Sequence, residues 1–278
     1  MSRILVTGGT GKTGRRLAAR LRADGTALRV ASRAPNGAAD GVVFDWNAPE
    51  TWDGALDGVT AAYLVAPARG GDPAQAMIGF VQAAMARGMG RFVLLSASLL
   101  SAGGPGMGQV HQWLHDNAPQ WAVIRPSWFM QNFSEGQHLA TIRDEDAVYS
   151  AAQDGRVPFL DAEDIARVAQ ILLTRAKAPN ADFILTGPRA ISYDDVARSL
   201  SAAAGRPIAH RRVGADALAA RHRAAGLPEL VAQILAMMDT AIAGGAEDRV
   251  TEAVAALTGH PPADFDSFAR ANAAVWRN

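Results

Sequence analysis

Short apolar runs recur along the first 130 residues, and a stretch with helical periodicity follows most of them. The first run, residues 4–6, has the continuous apolar character of a strand that is buried on both faces of a sheet. Leu17, Ala18 and Leu21 then recur at helical spacing among arginines, which predicts an amphipathic helix that ends near Gly25. The further predicted strands are 27–31, 42–44, 61–65, 91–95 and 121–124, and the further helices are 74–87 and about 109–117. This alternation predicts an α/β fold with a doubly wound parallel sheet.

The pattern changes beyond residue 130. Apolar positions predict a helix over 161–174, and residues 183–185 predict a strand. Ser192 is typical of a helix start, because serine caps the N-terminus and the acids that follow it favour the positive end of the helix dipole. From residue 214 to 278 the chain is mostly helical. We therefore predict one domain over 1–130, to which residues around 158–188 return, and a smaller, mostly helical lobe from 131–157 and 189–278.

Three glycines, Gly8, Gly11 and Gly14, separate the first strand from the first helix. Such a turn lets backbone N–H groups approach a pyrophosphate at a helix N-terminus, where the dipole favours negative charge. The spacing is GxxGxxG rather than GxGxxG, but the turn follows a strand, opens a helix and has a second strand about 20 residues on. A tight turn without a ligand is the alternative. A P-loop is excluded, because Val6 occupies the position of its first glycine.

The end of the second predicted strand indicates which dinucleotide is bound. An Asp or Glu at this point binds the ribose 2′-OH of NAD, whereas a basic residue accommodates the 2′-phosphate of NADP. Ser32 and Arg33 stand here, with no acid, which predicts NADP(H) as the cofactor. A surface arginine that merely follows a strand is the alternative. The residues of the glycine turn that we expect to bind the cofactor are Gly8, Thr10, Gly11, Lys12, Thr13 and Gly14.

Three further strand ends complete the predicted cofactor site. Asp45 and Trp46 are placed to border an adenine ring, although Trp46 is equally suited to the core. Ala66 and Pro67 leave the fourth strand as small residues, which a backbone passing close to a cofactor requires. Ser96, at the tip of the fifth strand, is expected near the nicotinamide, where it hydrogen-bonds substrate or carboxamide or only caps the strand.

Composition excludes several classes of function. Lys+Arg and Asp+Glu balance at 27 each, so no net field attracts nucleic acid or an anionic membrane. The chain has no cysteine, which excludes disulfides and thiolate metal sites. It has no apolar run long enough to span a membrane, and a first strand that starts at Arg3 leaves no room for a signal peptide. We expect a cytoplasmic protein that binds a small-molecule substrate, with a homodimer left open.

Several segments together resemble the NmrA-like branch of the atypical short-chain dehydrogenases. They are VTGGTGKTG at the start, Ser32-Arg33, and residues 124–133, 159–166 and 185–188. Within this branch the chain is similar to the ergot-alkaloid festuclavine/agroclavine dehydrogenase group and its bacterial relatives, up to about residue 212. The resemblance implies a Rossmann domain, bound NADP(H) and a small C-terminal substrate lobe. Members of the branch include imine-reducing enzymes, quinone reductases and catalytically silent redox sensors.

One departure from typical short-chain dehydrogenases limits the chemistry. Those enzymes use a Tyr and a Lys four residues on, because the Lys lowers the pKa of the Tyr that shuttles a proton. None of Tyr63, Tyr149 and Tyr193 has a lysine at this spacing, which argues against alcohol oxidation and sugar epimerisation. An iminium carbon already carries the positive charge that a hydride cancels, so positioning is the protein's main task. Quinones fit less simply, because their reduction also needs protons.

Two polar residues are candidates for catalysis, Ser96 and His111. His111 has the side chain of a proton donor with an ordinary pKa near 6.5, and a packed or surface histidine is the alternative. His111 and His115 stand four residues apart, but Gln112 replaces the glutamate of a zinc protease and no third ligand follows. We therefore expect no metal site.

Aromatic and apolar residues after the sixth strand are predicted to wall a substrate pocket, since ligands bind at this edge of such sheets. They are Trp128, Phe129, Met130 and Phe133. Core packing between the two lobes is their alternative role. The sequence thus predicts an NADP(H)-dependent reductase of a small apolar imine-like or quinone-like acceptor. The alternative is a silent NADP(H) sensor that signals to a protein partner.

Overall fold

The chain folds into two units. The computed structural model describes residues 3–35, 37–67 and 72–277. The first unit comprises residues 1–126, 162–185 and 253–259, and the second comprises 127–161, 186–252 and 260–278.

Strands and helices alternate up to residue 126. In chain order they are β1 (Arg3–Val6), α1 (Lys12–Ala23), β2 (Leu28–Ser32), β3 (Gly41–Val43), α2 (Trp52–Leu56), β4 (Val59–Val65), α3 (Ala74–Ala86), β5 (Arg91–Leu95), α4 (Met107–Asn117) and β6 (Gln120–Pro126). The elements after them are α5 (Leu139–Asp144), β7 (Ala147–Ser150), β8 (Arg156–Val157), α6 (Ala162–Thr174), β9 (Ala181–Leu185), β10 (Ile191–Ser192), α7 (Tyr193–Ala204), β11 (Ala209–Arg212), α8 (Ala215–Ala224), α9 (Glu229–Ala243), α10 (Ala253–Thr258), α11 (Phe265–Ala271) and α12 (Ala273–Trp276).

A seven-stranded parallel sheet forms the centre of the first unit. Its strand order is β3-β2-β1-β4-β5-β6-β9, and helices flank it, so the predicted doubly wound α/β fold is confirmed. The inner strands are mostly apolar because both of their faces are covered. Val6, the last residue of β1, pairs with Val30 of β2 and with Tyr63 of β4. The loops after these three strands therefore emerge side by side at the carboxyl edge of the sheet.

The position of α10 differs from the prediction, which placed residues 253–258 in the helical lobe. It packs against α6 and β9 and so belongs to the first unit. The physical reason is Val254, whose side chain is fully buried. The sequence pattern of so short a helix does not indicate which core receives it.

The second unit has its own aromatic core and two small sheets. β8 pairs with β10 in the antiparallel sense, and β7 pairs with β11 in the parallel sense. The predicted helix start at Ser192 is confirmed. Its Oγ accepts the N–H of Asp195 at 3.2 Å, and the Asp195 carboxylate accepts the N–H of Ser192 at 3.0 Å. In the ranges that the structure describes, no helix has both the length and the apolar character that a bilayer crossing demands.

Candidate functional site

The turn between β1 and α1 is built so tightly that side chains would not fit. Gly8 adopts a left-handed backbone, with φ of 60°, and a Cβ on Gly14 would lie 2.2 Å from the Gly8 carbonyl oxygen. Gly11 donates its N–H to that same oxygen at 2.9 Å. Gly9, which the glycine spacing did not single out, is equally constrained, since its Cβ would lie 2.2 Å from Cγ1 of Val30. A single sequence gives no signal for this contact, because it depends on how β2 lies beside β1.

The N-terminus of α1 is open to an anion. Gly11 caps the helix without a side-chain hydrogen bond, and the first turn carries no acidic residue. The first N–H groups of a helix have no partner within it, and together with the dipole they favour a negatively charged group. Thr13, predicted to contact the cofactor, turns its buried hydroxyl inward, where it accepts the Tyr63 hydroxyl at 3.1 Å. Its side chain therefore supports the turn from beneath.

A cleft of about 270 Å³ opens beside this turn, within the first unit. Its lining gathers the ends of β1, β2 and β4 with the residues that follow β3. Nine of the residues predicted to bind the cofactor line it, namely Gly8, Thr10, Gly11, Ser32, Arg33, Asp45, Trp46, Ala66 and Pro67. The predicted residues outside the lining are Lys12, Thr13, Gly14 and Ser96. The sequence analysis missed Ala31, Phe44, Asn47 and Val65, which also line the cleft.

Arg33 is the basic group of the cleft at the end of β2. Its side chain is exposed, and among the residues that the structure describes it has no hydrogen-bond or ion-pair partner. The acid in the lining of the cleft, Asp45, accepts the N–H of Asn47 at 2.9 Å and so closes a local turn. The Arg33 guanidinium therefore remains available for an anionic ligand.

Trp46 packs in the core and also reaches the cleft, so its packing role is confirmed and its predicted contact with adenine stays a prediction. Its indole is buried, donates to the Val65 carbonyl at 3.2 Å, and meets the rings of Phe44 and Phe80 edge-on at 4.9 and 5.3 Å. It also contributes to the lining of the cleft. One wall of the cleft is therefore the outer surface of the aromatic core, which holds it rigid.

Ser96 and His111, the predicted catalytic residues, occupy different surroundings. Ser96 continues β5, donating its N–H to the Ile124 carbonyl at 2.8 Å, and its hydroxyl is buried without a partner among the described residues. The His111 ring packs 5.8 Å from the ring of Trp121. Asp182 is close enough to His111 to raise its pKa, and in the sheet Asp182 pairs with Val123, midway along β6. His111 therefore lies beside the middle of the sheet.

Burial lowers the pKa of His111, and Arg125 and His115 lower it further, while Asp182 opposes them. The imidazole is therefore neutral at neutral pH. Its Nδ1 is buried and has no hydrogen-bond partner in the described ranges. A neutral, packed ring is a poor proton donor, so the position favours the packed alternative over the catalytic one.

The residues predicted to wall the substrate pocket divide into two pairs. Met130 and Phe133 have no exposed surface, and Phe133 stacks on His138 at 4.8 Å and meets Phe159 edge-on at 5.2 Å. These two belong to the core of the second unit, and we correct their predicted role, because a side chain enclosed on every side presents no surface to a ligand. Trp128 and Phe129 keep some exposed surface and stay candidates.

A hydrogen-bonded chain of Ser150, His210 and Asp194 in the second unit has the composition of a hydrolase triad. The Ser150 hydroxyl lies 2.9 Å from His210 Nε2, and Asp194 lies 2.9 Å from His210 Nδ1. Ser150 has no exposed surface, so a substrate does not reach it. The chain instead ties β7 to β11 and α7. In the described part of the molecule, no group of three His, Cys, Asp or Glu side chains converges as a metal site would require.

Comparison with known proteins agrees with the geometry of the cleft. A family model described as NAD(P)H-binding matches residues 8–169. The uncharacterized oxidoreductase YesF of Bacillus subtilis is 41% identical over 275 residues, which covers 98% of this chain and 96% of the relative. Agroclavine dehydrogenase of Claviceps fusiformis is 40% identical over 284 residues, 98% of each chain. The NADPH complex of the quinone oxidoreductase QOR2 of Escherichia coli superposes with a TM-score of 0.81 at 21% identity, covering 96% of this chain and 98% of that one.

Proposed function

This chain belongs to the NAD(P)H-binding family as an oxidoreductase of NmrA-like type, and on that premise we propose that it uses NADPH to reduce a small apolar acceptor. The observation that carries the cofactor preference is Arg33. An exposed guanidinium that has no partner among the described residues, at the end of β2 and inside the cleft, matches the 2′-phosphate of NADPH, whereas the 2′-hydroxyl of NADH has no charge for it to pair with.

The residues of the cleft divide the binding of the cofactor between them. The open N-terminus of α1 and the glycine turn suit the pyrophosphate, since their N–H groups approach it without side chains in the way. Asp45 and Trp46 suit the adenosine end, and Ala66 and Pro67 leave room beside β4. When bound, the reduced nicotinamide supplies a hydride.

We propose an iminium as the preferred acceptor, because the chain's own tyrosines are poor proton donors. Burial raises the pKa of Tyr63 and of Tyr193, and neither side chain has exposed surface. The hydroxyl of Tyr149 donates to Glu145 at 2.8 Å, which also raises the pKa of Tyr149. Hydride addition to an iminium carbon gives a neutral amine without a proton. The similarity to agroclavine dehydrogenase supports this class of nitrogen-containing substrate.

Ser96, in the first unit, is proposed to orient the acceptor or the nicotinamide. The buried Ser96 hydroxyl has no partner among the described residues, so it retains a hydrogen bond for the substrate or the carboxamide. Holding the acceptor still accounts for most of the catalysis that we propose.

The experiment is a comparison of initial rates for NADPH oxidation with three acceptors, a cyclic iminium salt, a benzoquinone and a cyclic ketone, each repeated with NADH. We expect turnover of the iminium, weaker turnover of the quinone and none of the ketone, whose alkoxide product needs a proton donor. We also expect kcat/KM for NADPH to exceed that for NADH by about 10-fold or more. Failure with the iminium and the quinone alike, or equal rates with both cofactors, contradicts the proposal.

A further inference from the structure

The outer face of α9 exposes a stripe of large apolar side chains. Leu230 is 67% exposed, Met237 64%, Ile234 41% and Val231 37%. Residues 230, 234 and 237 follow the i, i+4, i+7 spacing that places side chains in one row along a helix. Within the described ranges, these four are the majority of the seven large apolar side chains that are exposed. Chance scatter does not concentrate them on one helix.

The other face of α9 already has its partner. Ala232, Ala236, Asp239 and Ile242 are buried, and α9 packs along α8. The exposed stripe is thus additional to what the fold requires, and a single copy of the chain leaves it facing water.

The stripe is free of charge along its length. Glu229 and Asp239 are the charged residues of α9, the first at its N-terminus and paired with Arg223 at 2.7 Å, the second buried. The exposed residues of α9 beside the stripe are the uncharged Gln233 and Thr240 and, at the N-terminal end, the paired Glu229. Two such faces meet without like-charge repulsion, and antiparallel helices also bring opposite dipole ends together.

We propose that this stripe is the contact between two copies of the chain, with two α9 helices antiparallel about a two-fold axis near Ile234. The stripe offers apolar surface on the order of 350 Å², within the range of patches that are often functional. Two facing stripes bury about 700 Å², less than half of the roughly 1,600 Å² of a standard interface. With Gln233, Thr240 and the Arg223–Glu229 pair as the rim, the expected assembly is a reversible dimer in the micromolar range.

A membrane surface matches this helix less well. Helices that lie on anionic membranes carry Lys or Arg beside their apolar face. α9 has neither residue, and its charged residues are both acidic.

The absence of cysteine from the chain allows a direct test of the geometry. Ile234→Cys introduces a single thiol next to the proposed axis, and Val250→Cys, at a residue that is 50% exposed in the same unit, is the matched control. With a short bismaleimide, whose two rings each alkylate one thiol, we expect covalent dimers from Ile234→Cys and little from Val250→Cys. Equal yields from both variants, or no dimer from Ile234→Cys, would overturn the proposal.

Sedimentation equilibrium from about 1 to about 100 µM then measures the association itself. Met237→Glu places a charge in the stripe and should weaken the dimer by at least about 10-fold, whereas Val250→Glu should leave it unchanged. Circular dichroism and NADPH binding verify that each variant is folded. A wild-type chain that stays monomeric over this range overturns the proposal. So does a wild-type chain that floats with phosphatidylcholine–phosphatidylserine vesicles when Met237→Glu does not, since the stripe then binds lipid.

Discussion

Under the proposed function, the preference for NADPH over NADH depends on one side chain, Arg33. Hydrogen bonds to a charged group contribute about 1.5–3 kcal/mol, which is roughly 10-fold to 150-fold in affinity. We therefore expect Arg33→Ala to raise the Kd for NADPH by about 10-fold to 100-fold and to change the Kd for NADH by less than about 2-fold. Isothermal titration calorimetry with each cofactor measures both values.

Arg87→Ala is the control for Arg33→Ala, because Arg87 is also exposed but pairs with Asp53 at 2.5 Å and lies outside the lining of the cleft. Arg33→Lys keeps the positive charge but loses the forked pair of donors. Its Kd for NADPH should therefore lie between that of the wild type and that of Arg33→Ala. If Arg33→Ala weakens the binding of NADPH and of NADH equally, the role assigned to the Arg33 guanidinium is wrong.

The tight packing of Gly9 can be tested with one substitution that disrupts it and a second that relieves the clash. The Cβ of Gly9→Ala would meet Cγ1 of Val30 at 2.2 Å, so we expect loss of stability and at least about 10-fold weaker NADPH binding. Val30→Ala removes that methyl group. The double variant should therefore recover much of the binding that Gly9→Ala loses, which is a coupling between neighbours that a double-mutant cycle measures.

Gly14→Ala provides the contrast, because its Cβ would meet the Gly8 backbone oxygen, which no side-chain truncation removes. Gly54→Ala, in α2 with nothing nearer than 4.0 Å, controls for the effect of the methyl group itself and should be neutral or stabilising. If Val30→Ala fails to rescue Gly9→Ala, the contact between β2 and the turn is not what constrains Gly9.

At the scale of elements, Asp239 makes the attachment of α9 dependent on pH. Its carboxylate accepts the Ala151 N–H at 2.9 Å, and burial raises its pKa to about 7. Because this folded-state pKa lies above the unfolded value of about 3.9, the contribution of Asp239 to stability falls as pH rises from about 4 to about 7. We expect Asp239→Asn to reduce the loss of stability between pH 5 and pH 8 by about 2–3 kcal/mol.

Guanidinium unfolding at pH 5 and pH 8, at submicromolar protein, tests this expectation. The comparison has to be between Asp239 and Asp239→Asn, since burial lowers the pKa of His222 and of His111, and these contribute in the opposite direction. An identical pH dependence in both proteins would mean that Asp239 is ionised in the fold throughout.

The elements differ in how far their sequence determined them. The helix start at Ser192 and the strand β5 depend on local capping and on a continuous apolar run, so both were predictable residue by residue. The roles of Met130 and Phe133 were not, because a large apolar residue after a strand gives the same sequence pattern whether it faces a ligand or a core. Which of these it faces depends on contacts with distant segments, such as Phe159, that no local pattern encodes.

At the scale of the whole molecule, recognition of the cofactor is local rather than a property of the overall charge. The formal net charge is +0, so no long-range field steers an anionic dinucleotide to the protein. The attraction that we propose comes from Arg33 and from the N-terminus of α1, both at the carboxyl edge of the sheet in the first unit. Most residues of the cleft lie at or just after strand ends, which a sequence shows, whereas no comparable pattern in the sequence indicates the substrate.

Binding that is confined to the first unit should stabilise that unit by mass action. At a concentration of 100 times Kd, a ligand that binds the folded state alone adds about 2.7 kcal/mol, equivalent to roughly 100-fold. Amides of β1, β4 and β5 that exchange through opening of the first unit should therefore exchange up to about 100-fold more slowly with NADPH. Hydrogen exchange followed by mass spectrometry measures this, with β7 and β11 of the second unit as the internal comparison. Arg33→Ala should lose this protection at the same NADPH concentration, and protection confined to the second unit would place the cofactor elsewhere.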